Sequence, residues 1–140
     1  MSPEVTGAVY WDSSAVLSAL FRDRHSDEAS KRARGSEVHL VSTLTWAEVY
    51  AVIARMERDR VLAKVLVAAA REALEGGPWR RLNAVPDWKL VQRLSSKWPL
   101  RGADLWHLAA AKGLKAELPE LTFMSYDTRL IAAARGEGPA

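Results

Sequence analysis

The stretch Val9-Tyr10-Trp11-Asp12-Ser13-Ser14 places three large apolar residues directly before an acid and two small polar residues. Valine, tyrosine and tryptophan favour the pleated strand, and a short apolar run that ends in turn-type residues indicates a buried strand. In open α/β sheets, ligands bind outside the carboxyl ends of the strands. Asp12 is therefore a candidate for chemistry, provided that other parts of the chain bring partners to it.

Strand-like and helix-like patterns alternate along the rest of the chain. Residues 38–41 and 121–125 are mostly apolar and predict two more strands. Residues 79–82 predict a third, and because two of these four residues are arginines, we expect it near a sheet edge. Helical patterns occupy the intervals. This alternation predicts an α/β fold with a parallel sheet that is covered by helices on both faces.

Two further details are predicted for the helices and the C-terminus. Apolar residues at spacings of three and four predict one buried helix face, made of Leu62, Val65, Leu66, Ala69, Ala73 and Leu74. A last helix is expected over residues 127–135. Residues 136–140 carry two glycines and a proline, and we expect them to form a frayed tail.

The composition is that of an ordinary globular protein. With 140 residues, 49% of them hydrophobic and 26% charged, we expect one domain over residues 1–140. The absence of cysteine excludes a disulfide framework and a thiolate zinc site. No signal-peptide pattern is present, and no apolar run approaches the ~20 residues that span a membrane, so a cytoplasmic protein is expected. The net charge of +3 indicates a polyanionic partner only weakly.

Three aspartates stand at the starts of predicted helices. Asp12 and Asp127 each follow a strand and have hydroxyl side chains beside them, and Asp104 begins the helix before the last strand. Aspartate is also a favoured N-cap residue, worth about 1 kcal/mol to a helix. Helix capping therefore remains an alternative interpretation of all three.

Glu48 is the only charged residue between Trp46 and Ala54. A helix that is apolar nearly all round is expected to be buried, and an uncompensated buried carboxylate costs several kcal/mol. No lysine or arginine lies three or four residues from Glu48. Either it faces a narrow strip of solvent, or it pairs with a distant arginine, or it shares a divalent cation with other acids.

The predicted sheet makes a shared cation possible. Neighbouring strand ends lie ~5 Å apart, so acids at two strand ends and two nearby helix starts can converge on one pocket. Oxygen ligands without a histidine or cysteine cluster suit Mg²⁺ or Mn²⁺. Ions held in this way serve phosphoryl chemistry.

Four segments of the chain resemble the motifs of one known family. These are residues 10–15, 42–49, 102–109 and 125–130, which contain Asp12, Glu48, Asp104 and Asp127 respectively. In order and setting they are similar to the motifs of PIN-domain nucleases, specifically the VapC-type toxins of bacterial and archaeal toxin–antitoxin pairs. The resemblance covers the whole chain.

The resemblance implies a PIN-like three-layer α/β/α sandwich around a mostly parallel sheet of four or five short strands. It implies a Mg²⁺- or Mn²⁺-dependent endoribonuclease whose metal site is formed by the four acids, with Ser14 and Ser125 as supporting polar residues. It also implies an RNA substrate, a homodimer and a cognate antitoxin protein. A fifth strand often follows the last helix in this family, but residues 136–140 are poorly suited to form one.

A few other residues have more than one interpretation. Arg101 and Arg129 flank two of the acids and could bind substrate phosphate or simply balance the local charge. A packed or hydrogen-bonded role is favoured for His107 over metal ligation, because no second histidine is nearby. Tyr126, in the turn before Asp127, is the aromatic residue best placed to contact substrate. Core packing is favoured for Trp11 and Trp46.

Other protein classes match the sequence less well. Receiver domains resemble a pattern with paired acids after the first strand and a lysine after the last, whereas Ser13 follows Asp12 here and no lysine is near Asp127. Phosphatases of the haloacid-dehalogenase type have a second aspartate where Ser14 stands. The remaining alternative is a catalytically inactive PIN-like RNA-binding or scaffold module, although all four acids are present.

Overall fold

The patterns of the sequence correspond to four strands and seven helices in the computed structural model, which describes residues 7–140. The strands are β1 (Ala8–Trp11), β2 (Val38–Ser42), β3 (Trp79–Leu82) and β4 (Leu121–Met124). The helices are α1 (Ser13–Leu20), α2 (Ser26–Ala33), α3 (Thr43–Arg58), α4 (Lys64–Gly76), α5 (Trp88–Lys97), α6 (Gly102–Glu117) and α7 (Thr128–Glu137). Each predicted strand is present, within one residue of its predicted bounds.

The four strands form one parallel sheet in the order β3-β2-β1-β4. Because all four strands run in the same direction, the carboxyl ends of β1, β2 and β4 lie at the same end of the sheet. β3 is an edge strand, as its charges predicted. No fifth strand is formed within residues 7–140, so β4 is the other edge.

Strand β1 is buried on both faces because its side chains alternate between two cores. Val9 and Trp11 belong to the core under α1–α4, and Ala8 and Tyr10 belong to the core under α5–α7. All four side chains are buried. Two helical layers with the sheet between them confirm the predicted three-layer α/β/α sandwich, and they place Asp12 at the carboxyl end of a fully covered strand.

The predicted buried face of the fourth helix is wrong in part. Val65 and Leu66 are exposed, by 74% and 52%, whereas the buried residues of α4 are Val67, Ala70 and Leu74. Apolar residues occupy nearly every position from 65 to 70, so spacing alone does not identify the stripe that packs. The packing of α4 against α3 determines which stripe is buried.

Helix α3 is likewise amphipathic rather than buried all round. Its buried residues are Thr45, Val49 and Ile53, a single stripe at a spacing of four, and Ala47 and Ala51 are exposed. Apolar residues in the sequence therefore do not imply burial on every side. Glu48 lies beside the packed stripe, at the margin between core and solvent.

The predicted frayed tail is also wrong. The carboxylate of Glu137 is only 2% exposed, and it bonds to Lys97, Lys112 and the indole Nε1 of Trp98. Phe123 N of β4 donates to the carbonyl oxygen of Pro139 at 2.9 Å. The tail is therefore fastened to the sheet edge by an ionic cluster and a main-chain bond. Over the described part of the chain, the helices lack the length and apolar character needed to cross a membrane.

Candidate active site

Asp12 lies at the carboxyl end of β1, where its side chain is 3% exposed and caps α1. Its Oδ1 accepts hydrogen bonds from Ala15 N at 2.9 Å and from Ser14 Oγ at 2.7 Å, and its Oδ2 accepts one from Ser125 Oγ at 2.6 Å. Burial raises the pKa of Asp12, and the bonds from Ser125 and Ser14 oppose this. Capping is thus confirmed, and it leaves the carboxylate rigidly oriented.

The hydroxyls of Ser14 and Ser125 connect the ends of two neighbouring strands. Ser14 Oγ accepts from Tyr126 N at 2.9 Å while it donates to Asp12. Ser125 Oγ accepts from Asp127 N at 3.0 Å while it donates to Asp12. The turn after β4 is therefore fastened to the turn after β1. This contact brings Asp127 toward Asp12.

Asp104 and Asp127 are the two more accessible aspartates. Asp127 caps α7, with Oδ1 accepting from Arg129 N and Leu130 N at 3.0 Å each. Asp104 lies in the first turn of α6 but is not its N-cap, and it has no hydrogen-bond or ion-pair partner among residues 7–140. Helix capping therefore explains the position of Asp127 but not that of Asp104.

Glu48 pairs with His107, a residue that sequence reasoning had discounted as a ligand. Its Oε1 lies 2.8 Å from His107 Nε2, and its side chain is 30% exposed. His107 is buried, and its Nδ1 lies 2.7 Å from Tyr10 Oη. The predicted hydrogen-bonded role of His107 is confirmed. The distant partner of Glu48 is this histidine and not an arginine.

The carboxylates are close enough to affect one another's charge. The pKa of Asp104 is raised, first by desolvation and then by the negative charges of Asp127 and Asp12, with Glu48 adding to the effect and His107 opposing it. No lysine or arginine forms an ion pair with any of the four acids within residues 7–140. The site therefore concentrates negative charge that has no fixed cationic partner.

A hard divalent cation matches this donor chemistry, since Mg²⁺ and Mn²⁺ prefer carboxylate oxygens. As positioned, however, no three histidine, aspartate or glutamate side chains of residues 7–140 form an arrangement that could hold a metal ion. The acids surround a common region without meeting at one point.

A cavity of about 480 Å³ lies beside the acids and is lined by both positive and negative side chains. Asp104 and Asp127 contribute to its wall, together with Arg24, Arg101 and Arg129. The three arginines are exposed and form no ion pair within the described residues. Arg101 and Arg129 thus lie beside the acids, and their predicted roles, phosphate binding or charge balance, both stay open.

A larger cavity of about 690 Å³ shares Tyr126 with the arginine-lined cavity but contains none of the four acids. The smaller cavity is therefore the one that borders the acids. Tyr126 lies on the wall common to both, where its ring stacks on His25 with centroids 4.1 Å apart. Neither Arg24 nor His25 was identified from the sequence, because the polar turn after α1 carries no motif.

The two predicted core tryptophans are placed differently. Trp11 is fully buried and its Nε1 donates to His39 Nδ1 at 3.0 Å, so the prediction for Trp11 is confirmed. Trp46 is only partly buried; it packs against the core, and the guanidinium of Arg81 lies 5.1 Å from its ring centroid. Neither tryptophan lines the arginine-lined cavity.

Comparison with known proteins gives a consistent set of similarities. The family model described as "PIN domain" matches residues 9–136. Two curated relatives, ribonuclease VapC45 and ribonuclease VapC49 of Mycobacterium tuberculosis, are each 32% identical over 134 residues, which is 93% of this chain and 91% of the relative.

Two solved structures are similar in fold. PAE2754 of Pyrobaculum aerophilum has a TM-score of 0.61 at 18% identity, over 94% of this chain and 87% of that one. VapC20 of M. tuberculosis, described as a toxin that cleaves the sarcin–ricin loop, has a TM-score of 0.59 at 14% identity, over 89% of this chain and 94% of that one. At these identities the two structures support the fold alone.

Proposed function

This chain belongs to the PIN-domain family, and on that premise we propose that it is a metal-dependent endoribonuclease of the VapC toxin type. The observation that carries the proposal is the group of four acids at the carboxyl edge of the sheet, with a buried, oriented Asp12 and a raised pKa at Asp104. A protein does not gain stability from like charges held together. Such an arrangement is typical of a site that binds a cation.

Asp12, Glu48, Asp104 and Asp127 would hold the Mg²⁺ or Mn²⁺ in this proposal. Bound there, the ion supplies a nucleophile at neutral pH and stabilises the charge on the leaving oxygen of a phosphodiester. The chain itself orients the ligands: Ser14 and Ser125 fix Asp12 through short hydrogen bonds. Groups that orient ligands in this way commonly alter metal affinity and activity ~10–100-fold when removed.

The arginine-lined cavity is proposed to receive the RNA backbone on either side of the cut. Arg101 and Arg129 line it together with two of the acids, and Arg24 adds a third guanidinium from the turn after α1. Guanidinium groups bind phosphate oxygens through two parallel hydrogen bonds. Tyr126, on the same wall, has an aromatic ring of the kind on which RNA bases stack.

A cognate antitoxin and a homodimer are proposed partners, since the curated relatives are VapC proteins. The apolar side chains of Val61, Val65 and Leu66, close together in sequence, are exposed, and exposed apolar patches commonly bind other proteins. A cytoplasmic location and a single domain over residues 1–140 remain predictions. Co-purification with the product of an adjacent small reading frame, followed by a measurement of the complex mass, tests the partners.

The test of the proposed activity is cleavage of a panel of single-stranded and structured RNAs with Mg²⁺ or Mn²⁺, with and without EDTA. We expect Asp12→Asn and Glu48→Gln to abolish cleavage while the melting temperature stays close to that of the wild type, because each change keeps the shape of the side chain and removes a charge from a repulsive group. Asp87→Asn is the matched control, since Asp87 caps α5 and lies outside the site. Cleavage that survives in EDTA or in Asp12→Asn would refute the proposal, and a wild type that cuts no RNA would favour an inactive RNA-binding module.

A further inference from the structure

Three side chains form a continuous hydrogen-bonded row from the centre of the sheet to the acidic site. Tyr10 of β1 contacts His107 of α6, and His107 contacts Glu48 of α3. The distances are 2.7 Å from Tyr10 Oη to Nδ1 and 2.8 Å from Nε2 to Oε1 of Glu48. Tyr10 and His107 are buried, and only the glutamate reaches solvent. The row joins three separate elements of the fold.

The chemistry of the three groups determines which atoms donate. An ionised carboxylate only accepts hydrogen bonds, so Nε2 of His107 must carry the hydrogen that points at Glu48. In a neutral imidazole Nδ1 is then the acceptor, and the Tyr10 hydroxyl donates to it. Every polar atom of the buried pair thus has a partner. The glutamate determines the tautomer, and the tyrosine hydroxyl completes the row by donating to Nδ1.

No other hydrogen bond reaches the side chain of Glu48 within residues 7–140. Glu48 extends from a helix surface, where a side chain with three rotatable bonds would otherwise move freely. The bond from His107 is made to Oε1, and Oε2 has no hydrogen-bond partner among the described residues. Removing that bond would free the carboxylate to rotate into solvent.

We propose that His107 is a positioning residue, which holds Glu48 by its Oε1 and presents the other oxygen to the acidic site, while Tyr10 fixes the orientation of the imidazole. This role rests on the proposed function of the four acids. The surroundings of a ligand fix its orientation and raise its affinity for metal. His107 itself neither binds the cation nor touches the substrate.

Two substitutions at one position separate positioning from packing. His107→Gln can place an amide nitrogen where Nε2 stands and so retains a donor for Glu48. His107→Asn is a similarly polar side chain that reaches only the Nδ1 position and keeps the contact with Tyr10 alone. Both leave a polar amide in the same buried space, so a purely structural role predicts similar losses in the two variants.

The measurements are Mn²⁺ affinity by titration calorimetry, kcat and KM for RNA cleavage, and the melting temperature. We expect His107→Asn to weaken Mn²⁺ binding ~10–100-fold and to lower kcat with KM nearly unchanged. His107→Gln should recover most of both. His39→Asn is the matched control: His39 is a second buried histidine, bonded to Trp11, and its loss should leave Mn²⁺ affinity unaltered.

Equal losses in His107→Asn and His107→Gln, or wild-type Mn²⁺ affinity in His107→Asn, would overturn the positioning role. The two proposals fail in distinguishable ways. A wild type that cuts no RNA, but binds Mn²⁺ with an affinity that falls in His107→Asn and in Glu48→Gln, would overturn the nuclease and support the positioning role. A wild type that binds no Mn²⁺ overturns the positioning role together with the metal site.

Discussion

The Ser125→Ala substitution tests how firmly the two strand ends are joined. Ser125 is 7% exposed, and alanine differs from it by the hydroxyl alone, so the change removes contacts without adding bulk. Two hydrogen bonds are lost: the donation to the Asp12 carboxylate at 2.6 Å and the acceptance from Asp127 N at 3.0 Å. A hydrogen bond to a charged group contributes ~1.5–3 kcal/mol and a neutral one ~0.5–1.5 kcal/mol. We expect the free energy of unfolding to fall by about 2–4 kcal/mol at pH 7.

The loss should depend on pH in a predictable direction. Burial raises the pKa of Asp12, and the bond from Ser125 opposes that rise, so the variant has a still higher pKa. A carboxyl with a folded-state pKa above its unfolded value destabilises the fold as pH rises above the unfolded value. The penalty is absent when Asp12 is protonated in both states. The difference between variant and wild type should therefore be largest at neutral pH and smallest near pH 3, where the loss of the bond from Asp127 N remains.

Urea unfolding, followed by far-UV circular dichroism at several pH values, measures the effect. Ser125→Thr retains the hydroxyl and should recover most of the stability, and of the RNA cleavage if the proposed function holds. Ser95→Ala is the control, because Ser95 is an exposed serine whose hydroxyl donates to a main-chain carbonyl. A loss below ~0.5 kcal/mol in Ser125→Ala, the usual range of surface substitutions, would refute the argument. So would a difference that does not change with pH.

Two predictions concern the C-terminal anchor. Hydrogen bonds from Lys112, Lys97 and Trp98 lower the pKa of Glu137 from 4.5 to about 2. The ionised Glu137 therefore stabilises the fold above pH 4.5, and this stabilisation disappears as pH falls toward 2. Glu137→Gln should lower the free energy of unfolding by ~1–3 kcal/mol at pH 7, as measured by urea unfolding. An equally large difference from the wild type at pH 2 would contradict this. Gly136→Ala should lower stability by ~1–3 kcal/mol, because the new Cβ would lie 2.6 Å from the ring of Trp98. Gly113 lies in open space on α6, so Gly113→Ala should instead raise the melting temperature, because alanine favours the helix by ~0.5–1 kcal/mol. A higher melting temperature for Gly136→Ala than for Gly113→Ala would refute the packing argument.

Local chemistry made the strands and the starts of several helices predictable. The run from Val9 to Trp11 is apolar on both of its faces, and only a strand covered on both sides can bury all of it. Asp12, Ser42, Asp87 and Asp127 each accept from a main-chain N–H of the helix that follows, as short-range capping requires. These preferences act over a few residues, so the sequence expresses them directly.

Helix faces and the C-terminal tail were predicted less well. Apolar residues occupy much of α4, and the stripe that packs is selected by the tertiary contacts of α4 with α3 and α1. The tail contains glycine and proline, which argue for disorder when taken alone. Its anchor is the ion cluster at Glu137, whose partners Lys97 and Lys112 come from two other helices. The amino-acid composition of the tail does not indicate these contacts.

The sequence by itself determined which acids are present, and that Asp12 follows a buried strand and Asp127 caps a helix, because those facts depend on neighbouring residues. Only the tertiary structure decided what surrounds them. The hydroxyl of Ser125 reaches Asp12 across 113 residues, and His107 reaches Glu48 across 59. The parallel pairing of β1 with β4 creates the first contact, and the approach of Glu48 on α3 to His107 on α6 creates the second. Long-range hydrogen bonds of this kind depend on the whole fold, and they fix the orientation of Asp12 and Glu48 among the four carboxylates.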